Sequence, residues 1–158
     1  MARQIVLNFL LAFVWMFLNS DWTLAGLFIG YVVGILPLVV FRRFFDQPLY
    51  LRKVWACIRL FYVFMKLMII SNIDVLRHLF RRKLAIRPGI VALKTTMKTD
   101  LEITLFTNMI TLTPGTVAIE VSLDKSTVYI HAMDIDDAEK LATDLKNSLE
   151  RAIMGVTR

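Results

Sequence analysis

Residues 4–41, QIVLNFLLAFVWMFLNSDWTLAGLFIGYVVGILPLVVF, decide the fold of this chain. Residues 4–20 and 22–41 contain no Asp, Glu, Lys, Arg or His. As helices they would reach about 26 Å and about 30 Å, which is close to the thickness of a bilayer's hydrocarbon core. The polar turn at residues 19–22 separates them and ends in an aromatic residue typical of the membrane interface. The stretch therefore predicts a transmembrane hairpin.

The basic residues around the hairpin predict its orientation. Arg3 precedes the first span, Arg42 and Arg43 follow the second, and Asp21 is the charge in the short loop between them. Lys and Arg accumulate on the cytoplasmic side of membrane proteins, so both termini are expected in the cytoplasm. A signal peptide is the competing interpretation of the first span, but no small-residue cleavage site follows it before the second.

The second span carries a row of glycines at every fourth residue, Gly26, Gly30 and Gly34. Such a row exposes the backbone of one helix face and allows another helix to approach closely. We expect it to be a packing surface for another subunit, with packing against the first span of the same chain as the open alternative.

Residues 49–80 form a long helical pattern after the break at residues 46–48. At about 100° per residue its cations fall in one stripe along the helix; these are Arg52, Arg59, Lys66, Arg77 and Arg81. The stripe fits a helix lying at the membrane surface with its cations toward anionic head groups. A third transmembrane span, with cations that snorkel or pair with a neighbour, is the alternative.

Residues 84–158 alternate between strand and helix patterns in the order β-α-β-β-α. The predicted strands are 86–94, 116–122 and 127–133. Two of their faces are apolar; these are Val117, Ile119 and Val121 on one strand and Val128 and Ile130 on the next. The helices are predicted at 100–112 and after an Asp136/Glu139 capping pair. This order predicts a small cytoplasmic α+β domain with two helices on one face of its sheet.

The predicted organisation is therefore a transmembrane hairpin (1–45), a basic-striped amphipathic or third membrane helix (46–83) and a cytoplasmic α+β domain (84–158). Residues 1–83 carry eleven Lys or Arg against three acids, whereas residues 84–158 carry eight against ten. Because the basicity belongs to the apolar half, it favours anionic lipids and argues against nucleic acid.

Catalysis has little support in the sequence. No G-x-S-x-G, H-E-x-x-H, P-loop or G-x-G-x-x-G motif is present, and the one cysteine, Cys57, has no partner for a metal site or disulfide. His78 and His131 lie in different halves of the chain. We predict a protein that is not an enzyme and needs no cofactor.

Several strings in the second half of the chain carry a family resemblance. They are Ser71-Asn72-Ile73-Asp74-Val75-Leu76-Arg77, Ile86-Arg87-Pro88-Gly89-Ile90-Val91-Ala92, Glu102-Ile103-Thr104-Leu105, Asn108-Met109-Ile110-Thr111-Leu112-Thr113-Pro114-Gly115-Thr116, Tyr129-Ile130-His131 and Lys146-Asn147-Ser148. As a set they resemble the E subunit of the Mrp-type (Mnh/Pha) multisubunit cation/proton antiporters. The resemblance covers nearly the whole chain.

The resemblance implies a bacterial cytoplasmic-membrane complex that exchanges Na⁺ for protons. In that family the large subunits, which are related to respiratory complex I, carry the ion path, and the E subunit is a small companion needed for assembly and full activity. The hairpin agrees with this role, because membrane segments that move ions carry ionisable groups at membrane depth. A membrane-anchored regulatory or ligand-binding module is the alternative function.

The expected site residues make contacts and perform no chemistry. A partner contact or a local ion pair with Arg77 is expected at Asp74, with Asn72 beside it. Arg87, Pro88 and Gly89 are candidates for a hinge. Glu102 is expected either to complement the N-terminus of its helix or to be a buried or protonatable carboxylate. Thr113, Pro114 and Gly115 predict a sharp turn from helix to strand.

Overall fold

The computed structural model describes residues 2–45, 49–80, 86–135 and 137–158. The chain forms two compact units, Met1–Trp55 and Ala56–Arg158. The break expected at residues 46–48, the basic run 81–83 with Arg81, and Asp136 lie outside the described residues.

The first unit contains two packed apolar helices, α1 (Ala2–Asn19) and α2 (Leu24–Val40). Ser20 reverses the chain between them in a left-handed conformation (φ 53°). Thr23 caps α2 by accepting the Gly26 N–H at 3.0 Å, and its own hydroxyl donates to Asp21 Oδ1 at 2.7 Å. A short 3₁₀ turn, Arg42–Phe44, follows α2.

Helix α3 (Tyr50–Leu79) is a single unbroken helix of 30 residues, about 45 Å long. It begins in the first unit and continues through the second. By length and composition, α1 and α3 are each able to cross a membrane, and α2 is an apolar helix of 17 residues.

The rest of the second unit contains a three-stranded antiparallel sheet in the order β1-β3-β2, formed by β1 (Gly89–Lys94), β2 (Thr116–Val121) and β3 (Thr127–Ala132). Helix α4 (Asp100–Leu112) connects β1 to β2 and has the predicted bounds. β1 starts at Gly89, three residues later than predicted, since Pro88 has no N–H to donate to a ladder.

The chain after β3 ends in α5 (Ala138–Leu145), a π-helical turn (Lys146–Glu150) and α6 (Arg151–Thr157). Asp137 caps α5 by accepting the N–H groups of Glu139 and Lys140, so the capping residue lies one position after the predicted Asp136. The observed order is the predicted β-α-β-β-α, with the last helix interrupted by the π turn.

The core of the second unit lies between one face of the sheet and its helices. It contains Leu93, Val128 and Ile130 from the sheet, Phe106 and Ile110 from α4, and Leu145, Leu149 and Ile153 from the last helical segment. Leu60, Val63 and Leu67 of α3 pack against this cluster. One side of α3 therefore contacts the domain core through these three partly buried residues.

A β-bulge in β2 overturns the predicted apolar face of that strand. The register shifts between Ala118 and Glu120, so Ile119 is an extra residue opposite β3. Val117 and Ile119 are exposed, whereas Ala118 and Val121 pack against the core. The shared face predicted for Val128 and Ile130 is confirmed, because both are buried.

Candidate functional site

A polar pocket of about 480 Å³ in the second unit collects several of the predicted contact residues. Asp74, Arg87, Pro114 and Gly115 line it. Its other lining residues come from the end of α3, the start of β2, the end of β3 with the segment after it, and α5; they are Ser71, Val75, Arg77, His78, Thr116, Ala132, Met133, Asp134 and Leu141. Three of the strings that carry the family resemblance thus meet in space around one cavity.

A polar side-chain contact that the sequence did not predict links α3 to the segment after β3. His78 Nε2 lies 3.4 Å from Asp134 Oδ2, with both side chains mostly buried. The Arg87 N–H donates to Asp134 Oδ1 at 3.0 Å. Fifty-six positions separate His78 from Asp134 along the chain, and no motif connects them, so no sequence signal could have found the pair.

The turn at Thr113, Pro114 and Gly115 has the predicted geometry. Gly115 adopts φ +86°, and the Thr113 hydroxyl donates to the Met109 carbonyl at 2.8 Å. The Gly115 carbonyl accepts the Met133 N–H at 2.8 Å. A residue with a Cβ is disfavoured at this φ, so glycine is needed where the chain leaves α4 for β2.

The ion pair between Asp74 and Arg77 is confirmed at 2.9 Å, three residues apart on α3. The remaining motif residues are placed differently. The Asn72 side chain donates to the Met68 carbonyl of its own helix, outside the pocket lining. Gly89 pairs with Ala132 at the start of β1, next to the exposed Pro88.

Glu102 lies buried at the N-terminus of α4 with both carboxylate oxygens in use. The N–H groups of Lys98 and Thr99 donate to Oε2 at 3.0 and 3.2 Å, and the Thr99 hydroxyl caps the helix in return. Thr157 and Arg158 donate to Oε1 at 2.8 and 3.1 Å.

The Lys98 amide and the Arg158 guanidinium lower the pKa of Glu102 to about 2. The predicted helix-end and buried-contact roles of Glu102 are both confirmed. Its prediction as a protonatable carboxylate is wrong, because these donors stabilise the charged form.

The glycine row of α2 packs within the chain. A Cβ on Gly30 would lie 2.8 Å from the Ala12 carbonyl of α1, and one on Gly34 would overlap the Asn8 side chain. A Cβ on Gly26 would meet the Asp21 carbonyl at 2.7 Å. All three glycines are buried by their own hairpin, so the intrachain alternative is what the structure shows.

A buried polar cluster ties the start of α3 to the hairpin within the first unit. Asn8 Nδ2 donates to the Tyr50 hydroxyl at 2.9 Å and to the Tyr31 carbonyl at 3.2 Å. The Tyr50 N–H donates to Gln4 Oε1 at 2.8 Å. Gln4 and Asn8 were not predicted as contact residues, although they are polar side chains within the apolar pattern of α1.

The predicted surface cations of α3 that the structure describes are all exposed. They are Arg52, Arg59, Lys66 and Arg77. Apolar residues of the same helix are exposed beside them, among them Trp55, Ile58 and Tyr62.

Comparison with known proteins gives a consistent result. The family model described as a Na⁺/H⁺ ion antiporter subunit matches residues 8–156. The E subunit of the Na(+)/H(+) antiporter of Bacillus subtilis (strain 168) is 48% identical over 158 residues, which cover 100% of both chains. The corresponding E subunit of Alkalihalophilus pseudofirmus is 44% identical with the same coverage.

A solved structure shares the fold. A chain of the membrane-bound sulfane sulfur reductase, described as an archaeal respiratory membrane complex, aligns with a TM-score of 0.57 at 26% identity. The alignment covers 97% of this chain and 98% of that one.

Apolar helices joined to a small α+β domain, together with these relatives, define this chain as a membrane protein. More particularly, the chain belongs to the family of Na⁺/H⁺ antiporter subunits that contains the E subunits.

Proposed function

We propose that this chain is the non-catalytic E subunit of a multisubunit antiporter that exchanges Na⁺ for protons, and that it is needed for assembly and full antiport activity. The observation that carries the proposal is the hairpin: residues 4–20 and 22–41 contain no Asp, Glu, Lys, Arg or His. A cation or proton path through the bilayer needs such groups, so the path belongs to other subunits.

The proposed partners are the other hydrophobic subunits of the complex, including the large complex-I-like subunits. Apolar residues cover more than half of the circumference of α4, and two of them, Leu101 and Leu112, are exposed. We propose that these two residues belong to the surface that contacts the partner subunits. The pocket residues Asp74, Arg87, Pro114 and Gly115 belong to the same unit. The proposed role uses no cofactor and no nucleic acid.

The proposed location is the bacterial cytoplasmic membrane, with α1 and α2 as a spanning hairpin and the α+β domain in the cytoplasm. The Lys and Arg of residues 1–83 support both termini on the cytoplasmic side. The exposed cations of α3 are proposed to contact anionic lipids.

Affinity purification tests the antiporter assignment. A tagged copy of the chain, extracted in mild detergent, is expected to recover several hydrophobic subunits, two of them large. A tagged unrelated two-span membrane protein of similar abundance serves as the control. Recovery of the chain alone would contradict the proposal. If cells that lack the chain keep their Na⁺ and alkali tolerance while the other subunits still assemble, its proposed role in exchange is contradicted.

Replacement of Pro114 tests the contribution of the pocket turn. Pro114→Ala frees φ next to Gly115, and the loss of this restraint is expected to cost about 0.4–1 kcal/mol of domain stability. Antiport in membrane vesicles, or the amount of assembled complex, should fall with it. Gly155→Ala is the matched control, since nothing lies within 4 Å of a Cβ there. Unchanged activity and assembly for Pro114→Ala would count against a role for this turn.

A further inference from the structure

Two opposite sides of helix α3 have different environments: one packs on the α+β core and the other is apolar and exposed. At about 100° per residue, with Arg52 at zero, Leu60, Val63 and Leu67 lie at about 20–80°. These residues pack on the α+β core. By the same count, Ile58, Ile69 and Leu76 lie at about 240–260°. They are exposed although they are large and apolar.

The cations of α3 lie between these two sides. By the same count, Arg59, Lys66 and Arg77 fall at about 320–340°, midway between the side on the core and the exposed apolar side. All three are exposed. A helix with an apolar side and a flank of Lys and Arg has the charge pattern of a helix in the plane of an anionic membrane surface.

The extent of the contact between α3 and the α+β domain indicates how deep α3 lies in the membrane. The contacts run from Leu60, which is partly buried against the core, to His78, which lies 3.4 Å from Asp134 beyond β3. Leu60 and His78 are about 27 Å apart along the helix axis. The domain that they touch carries charged residues, including the buried Glu102 and Glu150, that do not fit a hydrocarbon environment. The part of α3 before Leu60 is about 15 Å long, half of what a span requires.

We infer that α3 lies in the membrane plane as an interfacial helix, with Ile58, Ile69 and Leu76 in the acyl boundary, Arg59, Lys66 and Arg77 at lipid phosphates, and the α+β domain on its upper side. The occupant of the exposed apolar side is the anionic bilayer surface. The inference rests on the proposed function, because it takes the location of the chain in the cytoplasmic membrane from it. It favours a surface helix over a third span, because Leu60, Val63, Leu67 and His78 on one side of α3 contact a domain that carries buried charges.

Depth measurements on spin labels test the inference. In a Cys57→Ser background, single cysteines replace Ile58, Ile69 and Leu76, and nitroxides are attached to the chain within the assembled complex. The samples are vesicles of phosphatidylethanolamine and phosphatidylglycerol, and accessibility to oxygen and to a polar nickel chelate gives the depth. Leu123→Cys at the fully exposed β2–β3 turn is the aqueous control.

The expected result is one shallow depth for all three α3 labels, about 5–10 Å below the phosphates. A progressive change in depth approaching about 27 Å from Ile58 to Leu76 would show a spanning helix and overturn the inference. Labels shielded from both oxygen and the chelate would show that another subunit covers this side, which also overturns it.

Neutralising substitutions test the role of the cations. The α3 labels of the unchanged chain are expected to lie deeper in phosphatidylglycerol-containing vesicles than in pure phosphatidylcholine vesicles. Arg59→Gln with Lys66→Gln is expected to reduce that difference. Persistence of that difference would remove lipid phosphates as the partners of these cations. Failure of the chain to co-purify with other subunits would end the antiporter proposal and leave the depth measurement intact, since the chain alone can be reconstituted for it.

Discussion

Glu102 shows how one buried charge joins three separate parts of the chain. It accepts hydrogen bonds from the 98–99 loop at the start of its own helix and from the C-terminal residues Thr157 and Arg158, while its own N–H donates to the Thr99 hydroxyl. Because each carboxylate oxygen has two donors, the carboxylate is stable as a buried anion. The last residues of the chain are therefore fixed to the N-terminus of α4.

The lowered pKa of Glu102 predicts a defined pH dependence. Its folded-state pKa is about 2 against an ordinary value of 4.5. The stabilisation is therefore fully present above about pH 4.5 and is lost as pH falls toward about 2, since the unfolded chain binds the proton first. Glu102→Gln is expected to lower the free energy of local unfolding by about 2 kcal/mol at pH 7, because the charge is removed from a fully bonded site.

Hydrogen exchange at the amides of residues 98–106 measures this effect. The difference between Glu102→Gln and the unchanged chain should shrink as the pH is lowered through the window from 4.5 to about 2. Glu120→Gln, at an exposed position of β2, is the control and should leave these amides unchanged. A difference that is constant over that pH range would exclude the ionised carboxylate as the cause.

At the scale of elements, the hairpin depends on close backbone approach between α1 and α2. Gly30 of α2 lies against the backbone of Ala12, and a Cβ there would also come within 3.1 Å of Ala12 Cα. Backbone cannot move aside as a flexible side chain can, so the added methyl must push the helices apart.

Gly30→Ala is expected to destabilise the hairpin by about 1–3 kcal/mol and to lower the steady-state amount of the chain in the membrane. Cross-linking in membranes between cysteines that replace Phe9 and Tyr31, whose ring centroids lie 5.1 Å apart, would report the separation of α1 and α2. Gly155→Ala, where the added methyl meets nothing within 4 Å, is the control and should keep the normal amount. Unchanged cross-linking and abundance for Gly30→Ala would refute tight α1–α2 packing at this position.

The elements also show what the sequence could predict. The bounds of α4 were predictable because its apolar period and the following Thr-Pro-Gly turn coincide. The bulge at Ile119 was not, since Val117 to Val121 alternates well enough to support a regular strand. The capping box of Thr99 and Glu102 is a further signal for the start of α4, because its residue types and spacing stand in the sequence.

Residues of the candidate site were predictable from the sequence, but their meeting around one pocket was not. The segments around Asp74, Arg87 and Pro114 were each expected to make contacts, but their meeting around one pocket depends on how α3 packs against the sheet. That packing also creates the contact between His78 and Asp134, which depends on tertiary structure alone.

At the scale of the whole molecule, the uncharged hairpin and the buried carboxylates lie in different parts of the chain. The hairpin keeps its polar side chains Gln4 and Asn8 buried and hydrogen-bonded, and residues 4–20 and 22–41 carry no formal charge. The second unit holds the buried carboxylates Glu102 and Glu150. Because an ion path would need charged groups at membrane depth, this separation supports the proposed role of the chain outside the ion path.

This separation predicts how damage to the chain changes antiport. Gly30→Ala and Pro114→Ala are expected to lower the maximal antiport rate in membrane vesicles in proportion to the loss of assembled complex. The Na⁺ concentration for half-maximal activity should stay within about twofold, because a subunit outside the ion path does not change transition-state interactions with the ion. Activity per assembled complex, measured over a range of Na⁺ concentrations with Gly155→Ala as the control, separates the two quantities. A several-fold shift in the half-maximal Na⁺ concentration at constant complex amount would place this chain in the ion path and refute its companion role.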